Sequence, residues 1–193
     1  MNWIPTNTIL TGNTVELRPM QREHFAELEA LSKDARIWQH YIFDGTNSAK
    51  FLGHMETGLI EKDKGTQFPF VIYHKADNKL IGGTRYLDIV PAHRKLEIGW
   101  TWLHPDYWGT PVNNECKLLL LTFAFETLKA LRVQLKTDEN NIRSRKAIEK
   151  LGAKFEGVLR NEQLRDNGTH RHSAFYSILD TEWEEVKERL MNR

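Results

Sequence analysis

In the run KLEIGWTWL, residues 95–103, one carboxylate, Glu97, stands among apolar and small residues. Alternation along a strand puts Leu96, Ile98, Trp100 and Trp102 on one face and Glu97, Gly99, Thr101 and Leu103 on the other. A carboxylate so placed can accept a proton, directly or through water, with a pKa set by its burial. The competing reading is a salt bridge to a lysine or arginine. The next stretch, LHPDYWGTPVNNECK, breaks at Gly109 and Pro111 and then opens a long apolar helix. The first N–H groups of a helix lack intrahelical partners and the helix dipole adds positive potential, so such a start suits a phosphate group. Gly109 permits close backbone approach, while Thr110, Asn113 and Asn114 carry short side chains able to hydrogen-bond oxygens. Asn113 or Asn114 equally suits a plain N-cap. A third candidate is Ser144, which shares the inward stripe of a later helix with Ala147, Ile148 and Leu151. A hydroxyl there needs a partner, either a ligand or the carbonyl of the preceding turn.

Other chemistries find less support. Neither G-x-x-x-x-G-K-[ST] nor G-x-G-x-x-G occurs, which sets aside the common nucleoside-triphosphate and dinucleotide loops. His170 and His172 share a strand face, but no further ligand cluster stands near them in sequence, so no metal is expected. Cys116 falls on the apolar side of its helix and reads as packing, as do Trp100 and Trp102.

The elements that must position these residues follow from periodicity. VELRPM is strand-like and QREHFAELEALSK helical, and a second helix runs from a cap at Asn47 or Ser48 to about Lys62. FPFVIYHK, KLIGGTRYLDIV and KLEIGWTWL form an antiparallel meander with breaks at Asp77-Asn78 and Pro91. A helix from about Asn114 to Leu128 leads to RVQLKT, a β-α-β unit whose flanking strands are expected to be parallel. A helix between Asn140 or Asn141 and Gly152 follows. AKFEGVLRN and HRHSAFYSIL then close a hairpin through Asp166-Asn167-Gly168, and a terminal helix begins at Asp180.

With 193 residues, 40% apolar and 27% charged, the chain predicts one domain spanning 1–193. The formal charge of +1 argues against a bulk nucleic-acid binder, so any anion must be held locally. The longest apolar run, near residues 118–125, is far short of the ~20 residues of a membrane span. MNWIPTNTIL lacks the features of a secretory signal, and a cytoplasmic protein is expected.

Element order and residues together resemble the GNAT superfamily of acyl-CoA-dependent N-acyltransferases, in particular its RimJ/RimL type, the ribosomal-protein N-terminal acetyltransferases. The stretches VELRPM, LEIGWTWLHPDYWGTPVNNECKLLLL, RVQLKTDENNIRSRKAIEKLGAKFEGVLR and FYSIL carry the likeness, which covers nearly the whole chain. It implies an α/β GNAT fold. A mixed, mostly antiparallel sheet of six to seven strands would carry helices on both faces and a splayed parallel pair at the site. It also implies acetyl-CoA as acyl donor, with its pantetheine arm between the splayed strands and its pyrophosphate on the loop.

The family loop R/Q-x-x-G-x-G/A falls on Trp108, Gly109, Thr110, Pro111, Val112 and Asn113. Trp108 stands in place of Arg or Gln, Pro111 in place of Gly, and Asn113 in place of a small residue. Pro111 has no N–H, which leaves Thr110, Val112, Asn113 and Asn114 as donors. Asn141 and Ser144 match an Asn-x-x-Ser pair that contacts the cofactor arm and protonates the leaving thiolate. The family's commoner tyrosine acid would fall on Ile148. Glu97 matches a base, and backbone N–H groups near Leu103 and His104 would hold the oxyanion. Lys146, with Arg145, would meet the adenosine phosphate. The acceptor is a primary amine, either a small molecule or a peptide N-terminus, and a homodimer is compatible with the likeness. Segments 32–60 and 160–175 would form the acceptor pocket. There Asp44, Glu56, Glu61 and Asp166 favour a cation, whereas Arg165, His170 and Arg171 favour an acidic peptide. The rival reading, motivated by Trp108 and Pro111, is a GNAT-fold module that senses CoA or docks a protein without catalysis.

Overall fold

The computed structural model describes residues 3–192 of the expected 1–193 domain. Its sheet has eight strands in the order β1-β2-β3-β4-β5-β6-β8-β7. These are β1 Leu10–Thr11, β2 Val15–Pro19, β3 Phe68–His74, β4 Lys79–Val90, β5 Lys95–Leu103, β6 Arg132–Asp138, β7 Lys154–Leu164 and β8 His170–Leu179. The two-residue β1 is too short to leave a period in the sequence, and it raises the count above the expected six to seven. Every pairing is antiparallel except β5 with β6.

Among the described residues five α-helices cover the sheet: α1 Phe25–Leu31, α2 Ser48–Asp63, α3 Val112–Thr122, α4 Ile142–Leu151 and α5 Trp183–Met191. One core joins Leu17, Tyr86, Ile98, Leu120, Val133 and Trp183, on the side covered by α3 and α5. The other joins Leu28, Phe51, Met55, Val71 and Trp102, under α1 and α2. Leu120 and Leu121 are wholly buried, and each such side chain contributes roughly 1.5–3 kcal/mol of transfer free energy. This burial, rather than propensity, fixes α3 on the sheet.

Local signals set the helix ends. Asn47 Oδ1 accepts from Lys50 N at 3.1 Å and Asn141 Oδ1 from Ser144 N at 3.0 Å, both as N-caps. Gly152 closes α4 at φ +103°, a left-handed conformation that glycine adopts freely. Three boundaries differ from the sequence reading. Helix α3 starts at Val112 with Pro111 as its N-cap, so Asn113 and Asn114 lie inside its first turn and cap nothing. Proline's fixed φ suits a helix start and makes a polar cap dispensable. The expected single helix to Leu128 instead widens into a π turn over Phe123–Thr127. Finally, Asp180 opens a short 3-10 turn before α5, and the Glu182 carboxylate accepts the Leu179 N–H at 2.9 Å.

Two features shape the centre of the sheet. The parallel pairing of β5 with β6 covers only Lys95–Arg132, Leu96–Val133 and Glu97–Gln134, after which the strands part. In β5 the register against β4 slips between Arg85–Gly99 and Gly83–Trp102, so two residues, Trp100 and Thr101, oppose Thr84. This is a β-bulge, with Trp100 at φ +50°. The expected alternation therefore breaks. Leu96, Ile98 and Leu103 end in the core under α3, and Trp102 packs in the other core with Trp38 and Phe51. Trp100 is only half-buried and leans on His54, with 3.9 Å between ring centroids, so it is not the core residue expected.

Candidate active site

The parting strands open a cleft lined by Glu97, Leu103, Trp108, Gly109, Thr110, Asn113, Asn114, Asn141, Ser144 and Lys146. Ten of the residues singled out in the sequence thus meet in one place. Two do not. His104 is absent from the wall, and its N–H is spent on the Ile81 carbonyl at 2.8 Å. The buried Val112 also lies off the wall, and its N–H faces the Thr110 hydroxyl at 3.4 Å. In an antiparallel ladder, backbone groups alternate between neighbours. The His104–Ile81 bond therefore turns the Leu103 groups away from β4, and the Leu103 carbonyl indeed accepts from Trp108 Nε1 at 2.9 Å. The Leu103 N–H faces the same open side.

Glu97 stands on the last paired residue before the fork and is 2% exposed. Its Oε2 accepts from Gln134 Nε2 at 2.7 Å and lies 3.7 Å from Lys136 Nζ. Burial pushes its pKa up, against the pull of Lys136 and of the Gln134 hydrogen bond. Glu97 thus has a lysine 3.7 Å away and is also a carboxylate made more basic by desolvation. Gly99 is needed beside it: a Cβ there would stand 3.0 Å from Glu97 Oε1.

On the loop, Gly109 has φ +75° with nothing within 4 Å of where a Cβ would be, which leaves the backbone open to a ligand. The Thr110 hydroxyl donates to the Tyr107 carbonyl at 2.8 Å. Across the cleft, Arg143 of α4 lies over the Trp108 ring at 3.8 Å. Asn141 Oδ1 is used by its cap, so its amide hydrogens remain for a ligand, and Ser144 presents its side chain one turn on. Ile148, where a tyrosine acid would fall, is 7% exposed. Lys146 lines the cleft, whereas Arg145 is held on Tyr176 Oη at 2.9 Å and faces elsewhere. His172 Nδ1 accepts from Asn161 N at 2.8 Å. Among the described residues no group of three or more His, Cys, Asp or Glu is placed to hold a metal.

The sequence reading missed Lys117 and Arg143 as cleft residues, while Arg171 and Tyr41, from the acceptor segments 160–175 and 32–60, line the same cleft. Lys117 carried a local signal, a charge directly before the apolar run Leu118–Leu121. It is 6% exposed, and Nζ donates to Thr101 Oγ1 at 2.7 Å. Burial brings its pKa down to about 8. A lysine whose folded pKa is lowered costs stability while charged, and the cost disappears as pH rises from about 8 toward its ordinary value. Lys117→Met is expected to raise stability at pH 7 by about 1 kcal/mol or more, read from urea midpoints. A lower midpoint would make this lysine a structural tie.

The chain matches the family described as "Acetyltransferase (GNAT) domain" over residues 14–154. It is 33% identical over 111 residues to "Putative ribosomal N-acetyltransferase YdaF" of Bacillus subtilis (strain 168), an alignment covering 58% of this chain and 60% of that protein. The crystal structure of a GCN5-related N-acetyltransferase from Brucella melitensis superimposes with TM-score 0.87 at 26% identity, over 97% of this chain and 86% of that one. RimL, a ribosomal L7/L12 alpha-N-protein acetyltransferase, shares the fold with TM-score 0.78 at 19% identity, over 89% and 94% of the two chains. With the fork, the loop and the helix start in their places, the chain belongs to the GNAT acetyltransferases, acyltransferases that draw on acetyl-CoA, and it is similar to their RimJ/RimL branch.

Proposed function

We propose that this protein transfers the acetyl group of acetyl-CoA to a primary amine, of a peptide N-terminus or a small molecule, by direct attack on the thioester. The observation that carries this reading is Glu97: a desolvated carboxylate at the point where β5 and β6 part. The wall fits the donor. Gly109 and the first-turn N–H groups of α3 suit a pyrophosphate, and Asn141 and Ser144 line the same cleft. Bound acetyl-CoA supplies the thioester, and the remaining work falls to the chain.

An ammonium must first lose a proton, and Glu97 takes it, directly or through one water. The amine nitrogen then bonds to the carbonyl carbon. The Leu103 N–H donates to the oxyanion in this reading, which the engagement of the His104 N–H with Ile81 supports. Glu97 passes that first proton to solvent and takes the second from nitrogen as the C–S bond breaks, while the sulfur takes a proton from solvent, directly or through the Ser144 hydroxyl, which solvent re-protonates. The enzyme forms no covalent bond.

Differential melting with acetyl-CoA, 3'-dephospho-CoA and ATP tests the donor. A ligand held only by the native state raises the melting temperature by mass action, about 2.7 kcal/mol at a hundred times Kd. A saturating rise with acetyl-CoA, smaller with the dephospho form and small with ATP, is expected. No rise at millimolar acetyl-CoA would return the loop to a turn and an ordinary helix start.

A further inference from the structure

Beyond Glu97, the cleft continues across the face of the sheet that carries the base. Directly paired residues share a face, so the register pairs Arg85–Gly99, Leu87–Glu97 and Glu97–Gln134 place Arg85 and Glu97 together. Alternation along β6 adds Lys136 and Asp138. Their partners Phe175 and Ser173 place Arg171, two residues further along β8, on the same face.

The charges on this face do not balance. Lys136 Nζ lies 3.7 Å from Glu97 and 3.2 Å from Glu162, and Asp138 is held by Arg165. Two guanidinium groups are left over. Arg85 is 3% exposed and donates only to neutral acceptors, Gln67 Oε1 at 3.2 Å and the His54 carbonyl at 3.1 Å. Arg171 lines the cleft itself, and its Nε is buried with no hydrogen-bond partner. Among the described residues no carboxylate stands within 4.0 Å of either. The acids of the acceptor segments lie elsewhere. Asp166 takes Lys50, Glu56 takes Arg22, Glu61 takes Lys64, and Asp44 holds Thr46; none lines the cleft.

Arg171 is half-buried, and the carboxylates that act on it, Asp138 and Glu162, lie beyond ion-pair distance and are engaged by Arg165 and Lys136. A carboxylate in the right place recovers the cost of such a partly desolvated charge, and Arg presents a planar fork that fits one. We infer that Arg171 is an anion-binding residue for the acceptor, and that the acceptor is a primary amine bearing a carboxylate. The ammonium lies at Glu97 and the carboxylate at Arg171. This assignment rests on the acetyl-transfer reading above and narrows its substrate class. The same chemistry comes from two sources: an acidic side chain near a peptide N-terminus, or the carboxylate of a free amino acid.

The test compares matched acceptors with acetyl-CoA, following thiol release. The peptide amides Ser-Asp-Ala-Ala and Ser-Ala-Asp-Ala are set against their Asn counterparts, and γ-aminobutyrate against its amide. In at least one pair the carboxylate-bearing member is expected to show a kcat/KM roughly 10- to 100-fold higher, mainly through KM. The pair that shows it identifies the source. Arg171→Gln should remove the gap, so that both members of a pair react alike on the variant, and its melting rise with acetyl-CoA shows that it folds. Arg171→Lys should recover only part of it. Equal kcat/KM within every pair, or a gap that persists in Arg171→Gln, overturns the assignment. If no acceptor is acetylated, calorimetry on CoA-saturated protein decides between the two levels. Arg171-dependent binding of an acidic peptide keeps the anion site and removes acetyl transfer, and binding by none removes the anion site.

Discussion

Glu97→Gln is expected to lower kcat about 10²- to 10³-fold at pH 7 while acetyl-CoA binding, read by melting, is unchanged. Glutamine keeps the volume and can still accept from Gln134, now 2.7 Å from Oε2, but it cannot take a proton. The pH profile carries a second signature. Because burial raises the Glu97 pKa, the acid limb of the wild-type rate should lie above the usual carboxylate range and vanish in the variant. Stability moves the other way. A carboxyl whose folded pKa is raised holds its proton more tightly when folded, so its contribution is present at low pH and lost as pH rises through that pKa. At pH 7 the buried charge is a net cost, and the variant should melt at or above wild type, with the gap closing on acidification. Unchanged turnover would take Glu97 out of the chemistry.

Gly82→Ala should cost about 3 kcal/mol or more, because the new methyl has nowhere to go. A Cβ at Gly82 would overlap the Trp102 carbonyl oxygen and stand 3.0 Å from Leu103 Cα, and its φ of +157° is one that side-chain-bearing residues rarely adopt. These obstacles are backbone, which cannot rotate aside. The clash also falls at the end of β5, beside the Leu103 groups that line the cleft, so acetyl-CoA binding should weaken with stability. Gly53→Ala is the control: it lies within α2 with nothing within 4 Å of its added methyl. That change should stabilise by about 0.5–1 kcal/mol. Urea midpoints report both, and a tolerated Gly82→Ala would show that the β4–β5 crossing is looser than its geometry implies.

How far the sequence could be read depended on whether a signal was local. Strands β3, β4 and β5, with their breaks at Asp77-Asn78 and Pro91, follow from alternation and turn residues, and helices α2 and α4 from Asn47, Asn141 and Gly152. The bulge was invisible, because nothing in GWTWL marks a tryptophan for a positive φ, and one inserted residue reverses every face after it. The two Asn residues after Pro111 looked like caps because side-chain type does not distinguish a cap from a first turn. Glu97, Asn141 and Ser144 lie in short windows whose spacing could be compared with a family. The likeness put Arg171 in an acceptor segment beside Arg165 and His170, but which of the three shares the face of Glu97 depends on the register of β6 with β8, a long-range property that no single stretch encodes.

The contact between Trp108 and Arg143 ties the loop before α3 to the start of α4, and these are the two banks of the cleft. A cation on an indole face is worth about 0.5–2 kcal/mol, so the bridge is a modest one that a ligand along the cleft can replace. A long ligand lying along the cleft has one wall spanned by an aromatic–cation pair from two separate elements, so its position reports on both at once.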